Sequence, residues 1–192
     1  MHNLAISLHK KGYEVTGSDD EVFDPAKRHL ALYDLLPSKM GWDPGRISPD
    51  MDAVIIGMHA KPDNPELKRA NELNLPVYSF PEYFYNQAKD KKRIVVAGSH
   101  GKTTITSMIM HVMNEMEMDF DYLVGAPVQG FSESIRLTTN APVAIIEGDE
   151  YLSSPMDSTP KFLHYKPQIA VLTGLSWDHM NVFPSYEDYK DQ

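Results

Sequence analysis

Arg93-Ile94-Val95-Val96-Ala97-Gly98-Ser99-His100-Gly101-Lys102-Thr103-Thr104 decides how this chain is read. A short apolar run enters a glycine turn, passes Gly-Lys-Thr-Thr and continues into an amphipathic stretch. Strand, glycine loop and helix in that order are the context of a phosphate-binding loop. Glycines let backbone N–H groups converge on phosphate oxygens, and a helix N-terminus adds positive potential. On this reading Gly98, Ser99, His100, Gly101, Lys102, Thr103 and Thr104 surround the phosphates of a nucleotide. Lys102 reaches the β- and γ-phosphates, and the Thr103 hydroxyl ligates Mg²⁺. One position departs from the general GxxxxGK[ST] pattern, which wants glycine where this chain has Val96.

Working outward, apolar runs alternate between strand and helix character, which predicts a parallel α/β sheet. Upstream, helices are expected from Asn3 to Lys11, from Glu66 to Asn74 (entered through Asn64-Pro65) and from Pro81 to Ala88. Short strands are expected at Glu14–Gly17, Asp52–Gly57 and Pro76–Ser79, the second of them buried. Downstream, Ile94–Ala97, Pro142–Glu147 and Gln168–Thr173 read as strands and Gly101 to about Met116 as a helix. The polar break Lys89-Asp90-Lys91-Lys92-Arg93 divides the chain into residues 1–90 and 91–192. The first part reads as a Rossmann-like domain without its first strand and glycine-rich turn. The second reads as a phosphate-loop α/β domain cut short near Tyr186, where another helix begins. Met108, Met110, Met113 and Met116 read as core packing.

Two further groups qualify as site residues. Glu147 follows the apolar run Val143-Ala144-Ile145-Ile146, at the strand-end edge where α/β proteins bind ligands. A carboxylate there suits a hard cation. Asp149 and Glu150 read equally well as a solvated acidic loop. Asp19 could accept a hydrogen bond from a ribose hydroxyl, with a solvated turn as the rival reading. His59 lies just past a strand end. The remaining histidines, His164 among them, read as structural, and His100 as a local contact.

Composition narrows the function classes. Lys and Arg total 18 against 27 Asp and Glu, a formal charge of −9, which argues against a general nucleic-acid or membrane-surface binder. There is no cysteine, so disulfides and thiolate metal sites are excluded. No apolar run approaches the ~20 residues of a membrane span, and residues 1–4 do not resemble a signal peptide. A cytoplasmic location without membrane insertion is the expectation, and no obligate protein partner is evident.

The motifs together resemble the Mur ligase family. Gly98–Thr104 resembles its ATP loop, Glu147-Gly148-Asp149-Glu150-Tyr151 the acidic segment after the next central strand, and Asp178-His179-Met180 its Asp-His pair. Upstream, Gly12–Asp19, Val54–Gly57 and Asn64-Pro65-Glu66 resemble its UDP-sugar domain. The resemblance implies an ATP- and Mg²⁺-dependent, ADP-forming amide ligase acting on UDP-N-acetylmuramate through an acyl phosphate. It implies Lys102 and His179 as catalytic residues. Thr103, Glu147 and His179 become metal positions, and Ser18, Asp19 and His59 become UDP-sugar contacts.

The acceptor is either L-alanine, in peptidoglycan synthesis, or the tripeptide L-Ala-γ-D-Glu-meso-diaminopimelate, in peptidoglycan recycling. Tyr151 and the extra segment through Lys161-Phe162-Leu163-His164-Tyr165 favour the tripeptide. Departures from the family are Gly174, where Asn is frequent, and Pro155 and Pro160, which predict an irregular loop from Tyr151 to Lys161. A chain lacking the family's further domain is expected to be a fragment, inactive alone. A non-catalytic phosphate-loop module is the reading from another class, and UDP-sugar affinity in residues 1–90 would tell the two apart.

Overall fold

A computed structural model describes residues 1–154, 156–177 and 183–191 of the chain. It divides into two compact units, Met1–Phe80 with Ser154–Met156, and Pro81–Ser153 with Asp157–Gln192.

In the first unit α1 spans His2–Lys10 and buries Leu4, Ile6 and Leu8. Helix α2 covers Ala26–Ala31, and a 3₁₀ turn covers Pro44–Arg46. Strand β1 (Val54–Ile56) leads through α3 (Pro65–Glu72) to the parallel strand β2 (Val77–Ser79). Helix α3 starts as its sequence predicts. The Asn64 side chain accepts hydrogen bonds from the Glu66 and Leu67 N–H groups, and Pro65 occupies the first turn, where its missing donor is harmless.

Two expectations fail in this unit. Glu14–Gly17 is not a strand. The β1–β2 ladder is the pairing formed among the described residues, and an extended segment without a ladder partner is not a strand. Strand β1 is only half-buried for a related reason, since β2 is its one neighbour among the described residues.

The second unit continues α4 (Phe80–Ala88) into β3 (Lys92–Ala97), α5 (Lys102–Glu115), β4 (Phe120–Leu123), β5 (Ile135–Arg136) and β6 (Val143–Glu147). It ends with β7 (Leu152–Ser154), β8 (Asp157–Pro160), α6 (Lys161–His164), β9 (Ile169–Leu172) and α7 (Tyr186–Lys190). The main sheet has the order β5-β4-β6-β3-β9, with only β4–β5 antiparallel. Met110, Met113, Phe120, Tyr122, Val124 and Ile145 form a buried cluster between α5 and the sheet. The methionine series splits. Met110 and Met113 are buried, whereas Met108 is exposed on the far side of α5 and Met116 is exposed at the C-cap, past the helix's last turn.

The segment expected to be an irregular loop is a hairpin, β7–β8, followed by α6. The Ser153 hydroxyl donates to the Thr159 carbonyl at 2.6 Å and the Lys161 N–H to the Tyr151 carbonyl at 3.0 Å. Pro160 ends its strand in a two-stranded ladder, where proline is tolerated. Pro155 lies outside the described residues.

The polar stretch before β3 contributes to packing. Lys91 is buried 2.6 Å from the fully buried Asp121, whose other oxygen accepts from the Thr138 N–H and hydroxyl. Arg93 is also buried. Its Nε donates to the Tyr165 and Lys166 carbonyls and its Nη1 to those of Ala88, Lys89 and Lys91. One guanidinium therefore satisfies the open carbonyl ends of α4 and α6. Arg93→Met is expected to destabilise the fold by about 2 kcal/mol, because buried acceptors left unpaired cost on that order. A urea titration followed by circular dichroism measures it, and an unchanged midpoint would contradict the capping role.

Candidate functional site

The C-terminal ends of β6, β3 and β9 lie side by side, with Val96 opposite Glu147 and Ala97 opposite Leu172. Loops leaving those ends meet at one edge of the sheet, the usual ligand edge of parallel α/β proteins. Gly98 turns at φ +113, and a Cβ on it would stand 2.7 Å from Thr173 Oγ1 and 2.8 Å from the Gly174 carbonyl oxygen. Only glycine fits that contact. Gly101 enters α5 at φ +80, a left-handed conformation that frees the first N–H groups of the helix to face outward.

Neighbouring strand ends hold the loop. The Ser99 N–H donates to the Gly174 carbonyl at 3.1 Å, and the Ser99 hydroxyl accepts from the Ser176 N–H at 2.6 Å. The Thr173 hydroxyl donates to the carbonyls of His100 and Ala97. The His100 residue is exposed. At the position where Asn is frequent, the Gly174 backbone thus serves as a loop partner.

Lys102 and Thr103 open α5. The Lys102 ammonium donates to both Glu150 carboxylate oxygens, at 2.8 and 3.1 Å, and to the carbonyls of Gly98 and Ser99. Glu150 is 5% exposed, so this ion pair is largely shielded from water. Glu150 is therefore a partner of the loop lysine. Asp149 instead meets Lys161 at 2.6 Å. The Thr103 hydroxyl donates to Glu147 Oε1 at 2.9 Å, and the Gly125 N–H donates to Glu147 Oε2 at 2.8 Å. Two oxygen donors, one neutral and one anionic, thus converge beside the loop. Such a set suits a hard cation such as Mg²⁺ and not a soft one.

The contact between Glu147 and the Gly125 N–H was not legible in the sequence, because the loop after β4 carries no motif. Asp178 and His179 lie outside the described residues.

In the first unit the Ser18 hydroxyl donates to Glu66 Oε1 at 2.8 Å and accepts from Arg46 at 3.2 Å. The Asp19 carboxylate is exposed and accepts from the Asp20 N–H at 2.9 Å. His59 is exposed in the turn after β1, and among the described residues no hydrogen bond joins it to Ser18 or Asp19. No helix among the described residues is long and apolar enough to cross a membrane.

Comparison with known proteins adds to this geometry. Residues 96–192 match the family described as Mur ligase middle domain, and residues 1–92 match the Mur ligase family, catalytic domain. The chain is 33% identical over 186 residues to the UDP-N-acetylmuramate–L-alanyl-γ-D-glutamyl-meso-2,6-diaminoheptandioate ligase of Haemophilus influenzae, spanning 95% of this chain and 40% of that one. It is 36% identical over 193 aligned positions to the UDP-N-acetylmuramate–L-alanine ligase of Limosilactobacillus reuteri, spanning all of this chain and 40% of that one. A crystal structure of the tripeptide-type ligase from Neisseria meningitides superposes with a TM-score of 0.87 at 29% identity, covering 100% of this chain and 62% of that chain. The chain thus spans about 40% of the length of the curated relatives it matches.

Proposed function

We propose, from the premise that this chain belongs to the Mur ligase family, that the whole protein is an ATP- and Mg²⁺-dependent murein tripeptide ligase. It joins UDP-N-acetylmuramate to L-Ala-γ-D-Glu-meso-diaminopimelate in peptidoglycan recycling. Residues 1–90 hold the UDP-sugar, with Ser18, Asp19 and His59 as its contacts, and residues 91–192 hold ATP. The convergence of Lys102, Thr103 and Glu147 at one sheet edge carries the reading, because phosphoryl transfer rests mainly on positioning and charge neutralisation.

The sugar-nucleotide carboxylate attacks the γ-phosphorus, the bond to the β-bridging oxygen breaks, and ADP leaves. The acceptor amine then attacks the acyl carbon of the acyl phosphate, releasing phosphate and a proton. Thr103 and Glu147 would hold Mg²⁺, which would supply charge neutralisation at the phosphates. The outward N–H groups at the start of α5 orient the phosphates, and Lys102 exchanges part of its present contacts for phosphate oxygens. Glu150 positions that lysine, holding its ammonium over the loop. His179 is assigned to the second metal position and to chemistry near the reacting phosphate.

The β7–β8 hairpin and α6, the extra segment after the acidic motif, support the tripeptide as acceptor. The alanine ligase of peptidoglycan synthesis is the second reading, favoured by a relative of that kind at 36% identity. An ATP-dependent ligation assay of the whole protein, with each acceptor supplied alone, separates them. We expect at least about tenfold preference for tripeptide in kcat/KM, a difference of about 1.4 kcal/mol in transition-state binding. Efficient use of L-alanine with no turnover of tripeptide would overturn the assignment.

A further inference from the structure

Glu82 in the first turn of α4, Asp157 at the start of β8 and His164 at the end of α6 come together in the second unit. One potential ligand atom from each lies within 4.8 Å of the others. The three are scattered through the sequence, and His164 had no motif around it to mark it as a ligand. His164 Nε2 is shut off from solvent and makes no hydrogen bond, although Asp157 Oδ2 is 3.0 Å away. An imidazole nitrogen and a carboxylate oxygen this close form an ion pair when the imidazole is protonated, and stand as two lone-pair donors to a common cation when it is neutral. An ion bound at ~2.0–2.2 Å by both would set them roughly 3.0 Å apart at a right angle and roughly 3.4 Å apart at the tetrahedral angle, so the contact is within a few tenths of an ångström of either geometry.

The surroundings fix this disposition. The Thr159 N–H donates to Asp157 Oδ1 at 3.0 Å, which orients the carboxylate and leaves Oδ2 toward the histidine. Ligand carboxylates in metal sites are commonly held this way. The approach of α4 to α6 does not depend on the polar cluster. Phe84 is fully buried on the same helix as Glu82, and it meets the buried Tyr165 edge-on with ring centroids 5.9 Å apart.

We propose that Glu82, Asp157 and His164 bind a divalent first-row transition ion of the Zn²⁺ class, at a site distinct from Thr103 and Glu147. One imidazole with two carboxylates is a borderline donor set, whereas Mg²⁺ and Ca²⁺ take oxygen ligands. Three protein ligands leave room for water in the coordination shell. The ion ties α4, β8 and α6 at one point. Helix α6 begins at Lys161, which holds Asp149 of the acidic segment, so occupancy braces the segment that presents Glu150 to Lys102. The site stands whether or not the ligase reading does.

The test is a titration of the tag-free protein with Co²⁺, whose visible absorption reports coordination geometry. Absorption that saturates, disappears on adding Zn²⁺ and persists in a large excess of Mg²⁺ is expected. It should persist in Glu147→Gln, which separates this site from the phosphate-loop position. His164→Gln, Asp157→Asn and Glu82→Gln should each weaken binding by about tenfold or more while circular dichroism stays unchanged. Using three single variants keeps the test usable if one of them does not fold. No cobalt absorption in the folded protein, displacement by Mg²⁺, or absorption undiminished in the folded variants would each overturn the proposal.

Discussion

Lys102→Ala in the whole protein is expected to lower ATP-dependent ligation by about three orders of magnitude, roughly 4 kcal/mol of transition-state stabilisation. The ammonium stands at the mouth of the loop, within reach of the Gly98 and Ser99 carbonyls and of Glu150. A phosphoryl group in transfer carries its charge on exposed oxygens, and a fixed cation there acts where charge develops. The substitution has a second consequence. Glu150 is 5% exposed and would lose its cation, and stranding a buried charge is destabilising in itself. The double variant Lys102→Ala, Glu150→Gln removes that stranded charge. It should recover stability in a thermal melt while activity stays at the level of the single variant. Near-normal turnover in either folded variant would mean that the loop is structural. Recovered activity in the double variant would mean that the single variant fails through stability alone.

The loop could be read from sequence because its physics is local. Two glycines in positive-φ positions, a strand before and a helix after are encoded within residues 93–116. The capping of α3 by Asn64 and Pro65 is local in the same sense. What escaped the sequence depends on distant pairing. Glu14–Gly17 has strand-like residues but no ladder partner, so its propensity is unexpressed. The β7–β8 hairpin was hidden because Pro160 reads as a strand breaker until it is seen at the end of a two-stranded ladder. Lys91 and Arg93 fall in the polar break that reads as a domain boundary, yet their side-chain partners lie up to 73 residues away, at Asp121 and at the Tyr165 and Lys166 carbonyls. Glu150 was indistinguishable from its acidic neighbours until the fold paired it with Lys102 and paired Asp149 with Lys161.

The proposed cation position can be tested by removing charge without removing shape. Glu147→Gln is expected to raise the Mg²⁺ concentration for half-maximal ligation at least about tenfold. Turnover at saturating ATP should fall about a hundredfold, roughly 2.7 kcal/mol. The fold should tolerate the change. A glutamine carbonyl can still accept from the Gly125 N–H, and its amide can donate to the Thr103 hydroxyl, which turns to accept. Both hydrogen bonds survive, so the melting temperature should stay nearly constant while the hard cation loses its anionic ligand. Gly125→Ala approaches the same site from the other side. A Cβ there would stand 2.8 Å from Glu147 Oε1, so the carboxylate must swing away with its charge intact. If a correctly placed charge holds the cation, both variants raise the Mg²⁺ requirement, one through charge and the other through position. Acceptor preference should change in neither, since neither residue bears on the amine that attacks the acyl carbon. A Mg²⁺ titration of ligation with both acceptors measures all of this. Unchanged Mg²⁺ dependence in both folded variants would remove Glu147 from the cation site and leave its contacts with Thr103 and Gly125 as a strut between α5 and the loop after β4.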